Sequence, residues 1–387
     1  MKSVNCVFLL LLLPGIFLAG CSKGQKNSQA DPISSWEIST PEAEGLSQPV
    51  IDSVHREIQR GDYGLVDHFL VIRHGKIAVD YHYDWDYKKI AKSHDTTRHQ
   101  YNYDHPDWHP YYQYSDLHSL QSVSKTVTSL LLGIAMDEGL MIPLDSAVFP
   151  LFNSYAIDWS DTLKRSITLR DLLTMQSGIA WDESSSYADD AGNDCIIMEL
   201  SDDWIQYVLS RPMDTVPGTK FVYNSGVSVL IGKIVRIATG KGVDQWAEEK
   251  LFGPLGITDY YWKKTPKGEI DTEGGLYLKP HDLAKLGYMV LHNGQWEGHQ
   301  IVSAEWINQS VQPWVRFNDG VGYGYQWWIG LNGDETLSYN MRGYGGQFVT
   351  IAPKFDVVLV FNGWNIHEDT KKRADQIFEE RILPAIR

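Results

Sequence analysis

Strand-forming runs stand at both ends of this chain and helix-forming runs fill its middle, so the fold must bring the ends together. His68-Phe69-Leu70-Val71-Ile72-Arg73 and Lys76-Ile77-Ala78-Val79-Asp80 are rich in β-formers and are separated by His74-Gly75, a hairpin signal. Ahead of them, Pro41 to Arg60 has Ile51, Val54 and Ile58 at helical spacing. At the far end Gly324 to Ile329, Gln347 to Ala352 and Val357 to Asn362 read as strands, and Asp369 to Ile382 as a closing helix. Between these regions the chain is largely helical to about Leu251, through Ser122 to Asp137, Ile167 to Met175, Trp204 to Leu209 and Val227 to Ala238. A helix followed by an antiparallel hairpin points to an α+β fold rather than alternating βαβ units. The expectation is an antiparallel sheet flanked by helices with an inserted helical lobe. The sheet lobe comprises about 36–121 and 255–387, and the helical lobe about 122–254.

The first residues read as an address. Lys2 precedes an apolar run from Val7 to Ala19, broken only by Pro14 and Gly15, and too short for a membrane span of about 20 apolar residues. The run ends in Leu18-Ala19-Gly20-Cys21, similar to a bacterial lipoprotein signal in which the cysteine becomes the acylated first mature residue. Residues 1–20 are therefore expected to be a signal peptide and Cys21 the lipidation site, holding the protein to a membrane of the cell envelope, in the periplasm or on its outer face. Residues 22–32 are rich in Ser, Lys, Gln, Asn and Gly, so 21–35 reads as a lipidated cysteine and flexible tether, with the folded body at 36–387.

Composition narrows the function. A net charge of −15, with no run of Lys and Arg, argues against a nucleic-acid partner. Of three cysteines, Cys6 and Cys21 fall in the address, which leaves Cys195 alone, unable to form an intrachain disulfide or to carry a metal site by itself. From Asp84 to His118 the chain is polar and aromatic and holds His94, His99, His105, His109 and His118, without the spacing of a helical metal motif. A loop rimming a cleft is the better reading.

The chemistry centres on Ser122-Val123-Ser124-Lys125 at the start of the long apolar helix. Positions i and i+3 share a helix face, so the Lys125 amine reaches the Ser122 hydroxyl. A serine needs a base to become a nucleophile, and a lysine in an apolar setting loses affinity for its proton and can be that base. The plainer alternative is an N-cap serine with an exposed lysine one turn on. Burial of the helix favours the catalytic reading. Phe221-Val222-Tyr223-Asn224-Ser225-Gly226 follows the Pro217-Gly218 turn and precedes a helix, where Tyr223 can point into a cleft and shuttle a proton. Gly343-Tyr344-Gly345-Gly346-Gln347 precedes a strand, and its glycines let a substrate approach backbone N–H groups.

Taken together, these motifs resemble those of the β-lactamase-related serine hydrolases, a superfamily of class C β-lactamases, D-alanyl-D-alanine carboxypeptidases, carboxylesterases and 6-aminohexanoate-dimer hydrolases. The resemblance runs from about Glu42 to the C-terminus. Ser122-x-x-Lys125 matches the nucleophile motif and Tyr223-Asn224-Ser225 sits at the Tyr-x-Asn motif. Ile167 to Gly178 and Gly274 to Asp282 are similar to further family signatures. Ser225 stands where class C enzymes carry Asn, and Met341-Arg342-Gly343 where a Lys-Thr-Gly would be expected, which argues against efficient β-lactam hydrolysis. The implied fold is β-lactamase/transpeptidase-like. The implied function is cleavage of a carboxylic ester or amide, in a small molecule or peptide, through an acyl-enzyme on Ser122. Lys125 would accept the Ser122 proton and Tyr223 would pass a proton to the leaving group, two roles that can be shared or exchanged. Ser225, Gly345, Gly346 and Gln347 would bind substrate and complete the oxyanion hole with the Ser122 N–H. No cofactor or metal is required. A cell-wall D-alanyl-D-alanine carboxypeptidase and a non-catalytic binding protein of the same fold are the alternatives.

Overall fold

The β-rich runs of the two chain ends meet in one sheet. A computed structural model describes residues 36–90, 92, 116–184, 192–317, 320–365 and 370–386, so the expected signal and tether, Cys21 and most of the histidine-rich segment expected as a loop lie outside the described residues. The N-terminal strands are β1 (Glu37–Ile38), β2 (Val66–Arg73) and β3 (Lys76–His82). Next come β4 (His118–Ser119), β5 (Tyr261–Trp262), β6 (Leu276–Leu278), β7 (Gln295–Trp296) and β8 (His299–Gln300). The C-terminal strands are β9 (Val315–Arg316), β10 (Val321–Tyr323), β11 (Trp328–Asn332), β12 (Glu335–Gly343), β13 (Gln347–Ala352) and β14 (Val357–Gly363).

The large sheet runs β1-β3-β2-β14-β13-β12-β11-β10-β9, and a smaller one runs β4-β6-β5. The seam between the chain ends is β2 against β14, antiparallel, with Leu70 opposite Val360. One strand departs from the expected antiparallel order: β1 lies parallel to β3. β14 is buried along its whole length, which explains its unbroken apolar sequence.

The helices are α1 (Gln48–Gln59), α2 (Tyr87–Ile90), α3 (Val123–Asp137), α4 (Thr162–Ser166), α5 (Leu169–Leu173) and α6 (Asp194–Glu199). They continue with α7 (Trp204–Ser210), α8 (Ser225–Thr239), α9 (Val243–Ala247), α10 (Pro280–Leu291) and α11 (Ala304–Ser310). On one face of the sheet Ile51, Val54 and Ile58 of α1 join Phe69, Val71, Leu359 and Phe361 in an apolar cluster. On the other face α10 packs closely enough that a Cβ on Gly287 would sit 2.7 Å from Val358. The core of that side is α3, buried from Val123 to Ala135 and packed among α8, α9 and α11.

Three expectations shift. The first helix begins at Gln48 rather than Pro41, with Ser47 at its N-cap and Pro49 in its first turn, where a missing N–H costs nothing. The strand expected at Gly324 to Ile329 is mostly the tight turn between β10 and β11, which begins only at Trp328: Gly324 N donates to Trp327 O, and Gln326 takes φ 65° while its side chain bonds Leu172 O and Leu173 O. The closing helix is a series of 3-10 and π turns, Ala374–Gln376, Phe378–Ile382 and Leu383–Ala385, the last with Pro384 in its first turn.

Candidate active site

Ser122 occupies the N-cap position of α3, yet its side chain makes no capping hydrogen bond, so the hydroxyl is available for other work. The residue before it, Gln121, has φ 50°, a conformation that L side chains adopt at a cost and that concentrates at functional sites. One turn on, Lys125 is 2% exposed, which rules out the alternative of a solvated lysine. Its Nζ donates to Ser122 Oγ at 2.9 Å, to the Glu273 carbonyl at 2.7 Å and to Glu273 Oε2 at 3.0 Å.

Lys125 is thus buried but not in the apolar setting the sequence suggests. Burial alone would pull its ammonium down, but the negative charges available on Tyr223, Glu273 and Glu183 outweigh it and hold Lys125 above the ordinary lysine value. A lysine so held is a poor proton acceptor.

Tyr223, just ahead of α8, brings its ring to 5.4 Å from Lys125 Nζ, with Ser122 among the groups that act on its phenol. Burial pushes the Tyr223 phenol up, while the Lys125 charge and Ser122 draw it back. Trp328 stacks on Tyr223 with centroids 6.0 Å apart and planes 26° apart, and the Arg342 guanidinium covers Trp328 at 5.6 Å. Phe221 and Phe317 extend this ring wall outward, 4.7 Å between centroids.

The remaining expected residues divide. Ser225 is buried at the start of α8 and turned to a carboxylate: its N–H and hydroxyl both donate to Glu183, at 2.8 and 2.6 Å. Gly345 and Gly346 form the tip of the β12–β13 hairpin at φ 81° and 99°. That hairpin packs against the strand leading to Ser122, since a Cβ on Gly343 would fall 2.2 Å from Leu120 O. The Gln347 side chain does not face the cleft. It is buried and bonds Tyr344 O, Gly363 O and Asn362, so it braces the hairpin, and only its backbone remains for an oxyanion.

Three carboxyls near the site are not evident from the motifs: Glu183, Glu199 and Glu273. Glu273 lies 148 residues from Lys125 in sequence. Its signal is faint but present, a charged residue directly ahead of the glycine pair Gly274-Gly275 and the apolar run Leu276-Tyr277-Leu278. Cys195, Glu199 and Glu273 place ligand-type atoms within 4.8 Å of one another. This set suits a metal poorly, because the Lys125 ammonium already sits 3.0 Å from Glu273 Oε2 and would repel a cation. His118, at the end of the expected rim loop, is buried instead. Its ring nitrogens meet Asp67 Oδ2 and Ser119 O at 2.8 Å each, and Tyr87 shares the same carboxylate, so it pins β4 to β2.

Comparison with known proteins gives the family. A protein of Escherichia coli O157:H7 named "Putative D-alanyl-D-alanine carboxypeptidase" is 29% identical over 329 residues, 69% of this chain and 74% of that protein. The 6-aminohexanoate-dimer hydrolase of Paenarthrobacter ureafaciens is 24% identical over 270 residues, 63% of this chain and 65% of that protein. Among solved structures, a family VIII carboxylesterase superposes with a TM-score of 0.63 at 16% identity, over 90% of this chain and 98% of that one. The Beta-lactamase family model matches residues 64–381, nearly the whole folded body, and the chain accordingly belongs to the Beta-lactamase family of serine hydrolases, which takes in esterases, carboxypeptidases and amidases.

Proposed function

We propose that this chain hydrolyses a carboxylic ester or amide through an acyl-enzyme on Ser122, with Tyr223 as the proton carrier and Lys125 as a fixed positive charge. The observation that supports this most is the meeting of three side chains: Lys125 Nζ lies 2.9 Å from Ser122 Oγ and 5.4 Å from the centre of the Tyr223 ring. Charge favours exchanging the expected roles, with Tyr223 rather than Lys125 as the proton acceptor. With both Lys125 and Tyr223 held above their ordinary values, the resting pair is fully protonated, and the active form arises when it loses one proton. The charge left on Tyr223 accepts the Ser122 proton as Oγ attacks the carbonyl. The phenol then gives that proton to the leaving oxygen or nitrogen. Water repeats the sequence on the acyl-enzyme: Tyr223 takes its proton and returns it to Ser122 Oγ as the acid departs. The N–H of Ser122 and one from residues 345–347 serve the oxyanion, a donor of a kind whose loss costs about 10²–10³ in rate. The substrate is a small molecule or peptide, and Cys21 is the anchor that holds the protein to the cell envelope.

The test is the intact mass of the folded body, begun after Cys21, following incubation with a fluorophosphonate. One adduct on the native protein, absent from Ser122→Ala, is the expected result. An adduct that persists in Ser122→Ala moves the nucleophile elsewhere, and no adduct on either protein favours a binding protein of this fold. Release of D-alanine from a muramyl peptide, measured on the same preparation, separates a carboxypeptidase from an esterase.

A further inference from the structure

Behind Lys125 lies a charged layer that the acyl-transfer steps do not by themselves require. Facing the ammonium are Tyr223 from the lead into α8, Glu183 from the loop after α5, Cys195 of α6 and Glu273 from the turn before β6. Glu199, Asp271 and Lys263 stand behind Glu273. Within this layer Glu273 alone meets Lys125 twice, through its carbonyl and its carboxylate. An ammonium has three hydrogens and no lone pair, and here Nζ faces three acceptors: Ser122 Oγ, Glu273 O and Glu273 Oε2. A neutral amine could serve both Glu273 oxygens only by accepting from the Ser122 hydroxyl, whereas the ammonium donates to all three.

The turn presenting Glu273 is held independently of Lys125. Glu273 N and Gly274 N donate to Asp271 Oδ1 at 3.2 and 3.0 Å, and Thr272 Oγ1 donates to Ser228 O at 2.9 Å. Leu276 N donates to Ser124 Oγ at 3.0 Å, which ties the turn to the first turn of α3. Glycine at 232 is needed for this approach, since a Cβ there would fall 2.4 Å from Thr272 Oγ1.

Resting on the serine-hydrolase reading above, we propose that Glu273 is a positioning residue of the catalytic centre. It keeps Lys125 an ammonium aimed at Ser122, so that when the pair loses a proton the negative charge resides on Tyr223. Glu199 stands beside it, its carboxyl within 4.8 Å of that of Glu273, and burial with the neighbouring Glu273 charge pushes Glu199 well up.

The experiment is the pH profile of fluorophosphonate labelling for the native body, Glu273→Gln and Glu273→Asp. The glutamine keeps the carbonyl and the shape but removes the charge. A neighbouring negative charge strengthens the pair's hold on its proton, so its removal should move the acid limb to lower pH by about 1–3 units, with a lower plateau. Glu273→Asp, which restores the charge on a shorter arm, should return the limb toward the native position. A Glu273→Gln limb that coincides with the native one overturns the proposal, whatever the plateau. A second readout needs no folded Glu273 variant: ¹⁵N-lysine NMR of the native body, with Lys125 identified by its loss in Lys125→Arg. An ammonium that persists above about pH 10, where an ordinary lysine is half neutral, supports the proposal, and an amine already neutral below that pH overturns it. A native body that takes no label defeats the hydrolase reading instead, and the lysine spectrum still decides the state of Lys125.

Discussion

Replacing Lys125 by Met isolates what the buried charge layer costs the fold. The methionine roughly fills the space of the lysine stem, so the main loss is one positive charge among the carboxyls Glu183, Glu199, Asp271 and Glu273. Removing one partner of a buried ion pair costs about 3–5 kcal/mol, because the survivor stays desolvated and uncompensated. At about 2 °C per kcal/mol, the low end of the range for large domains, the melting point should fall by roughly 6–10 °C at pH 7.5. The pH dependence makes the prediction specific. In the native protein burial pushes the Glu273 carboxyl up, but the Lys125 charge and hydrogen bonds from Glu199 and Lys125 outweigh it and hold Glu273 below its ordinary value. Its contribution is therefore full above the unfolded value of about 4.3 and is lost as pH falls through the folded one. In Lys125→Met burial loses its strongest opponent and only neutral hydrogen-bond partners remain, so the folded value rises above the unfolded one. Glu273 then destabilises at neutral pH, and the penalty fades as pH falls and it takes up a proton. Burial pushes Asp271 up to about 7, so it is protonated over the same interval. Scanning calorimetry at pH 7.5 and 5 should show the gap between variant and native protein narrowing at the lower pH. Equal gaps at both values, or a variant that melts higher at pH 7.5, would refute the charge argument.

Two further outcomes follow from packing. Gly133→Ala in α3 would place a Cβ 2.1 Å from Trp306 Cδ1 and displace an indole whose Nε1 donates to Ser129 O at 3.1 Å. It should cost about 1–3 kcal/mol in urea unfolding, the usual range for overpacking, and an unchanged midpoint would mean that Trp306 moves freely. Trp328→Ala removes the plate against which Tyr223 stacks. Aromatic pairs contribute about 0.5–1.5 kcal/mol beyond their buried area, so the labelling rate of Ser122 should drop by roughly 2–10-fold with little change in the position of its pH profile. A rate that stays at the native value would remove Trp328 from the positioning of Tyr223.

What the sequence makes legible here is set by distance along the chain. Ser122 and Lys125 lie one helical turn apart, so α3 brings them together whatever the rest of the fold does, and the 2.9 Å contact is a local consequence. The strands β2, β3, β13 and β14 are legible for the same reason: β14 is covered on both faces and reads as an unbroken apolar run. β12 alternates Leu337, Tyr339 and Met341 with Ser338, Asn340 and Arg342, the period of a strand, but the polar Ser338 and Asn340 are buried, because β11 and β13 pair with it on either side. The protonation state of Lys125 is the most distant property of all. The surrounding helix is apolar and suggests a lysine stripped of its charge, yet the counter-charge arrives from Glu273, 148 residues away, on a turn fixed by Asp271, Thr272 and Ser124. Desolvation can be inferred from a helix that reads as buried, whereas compensation depends on which remote turn the fold delivers. The same Ser-x-x-Lys motif can therefore serve a neutral lysine base or a fixed ammonium beside a tyrosine base. The choice between them lies outside the motif, in the residue that meets the lysine from across the fold.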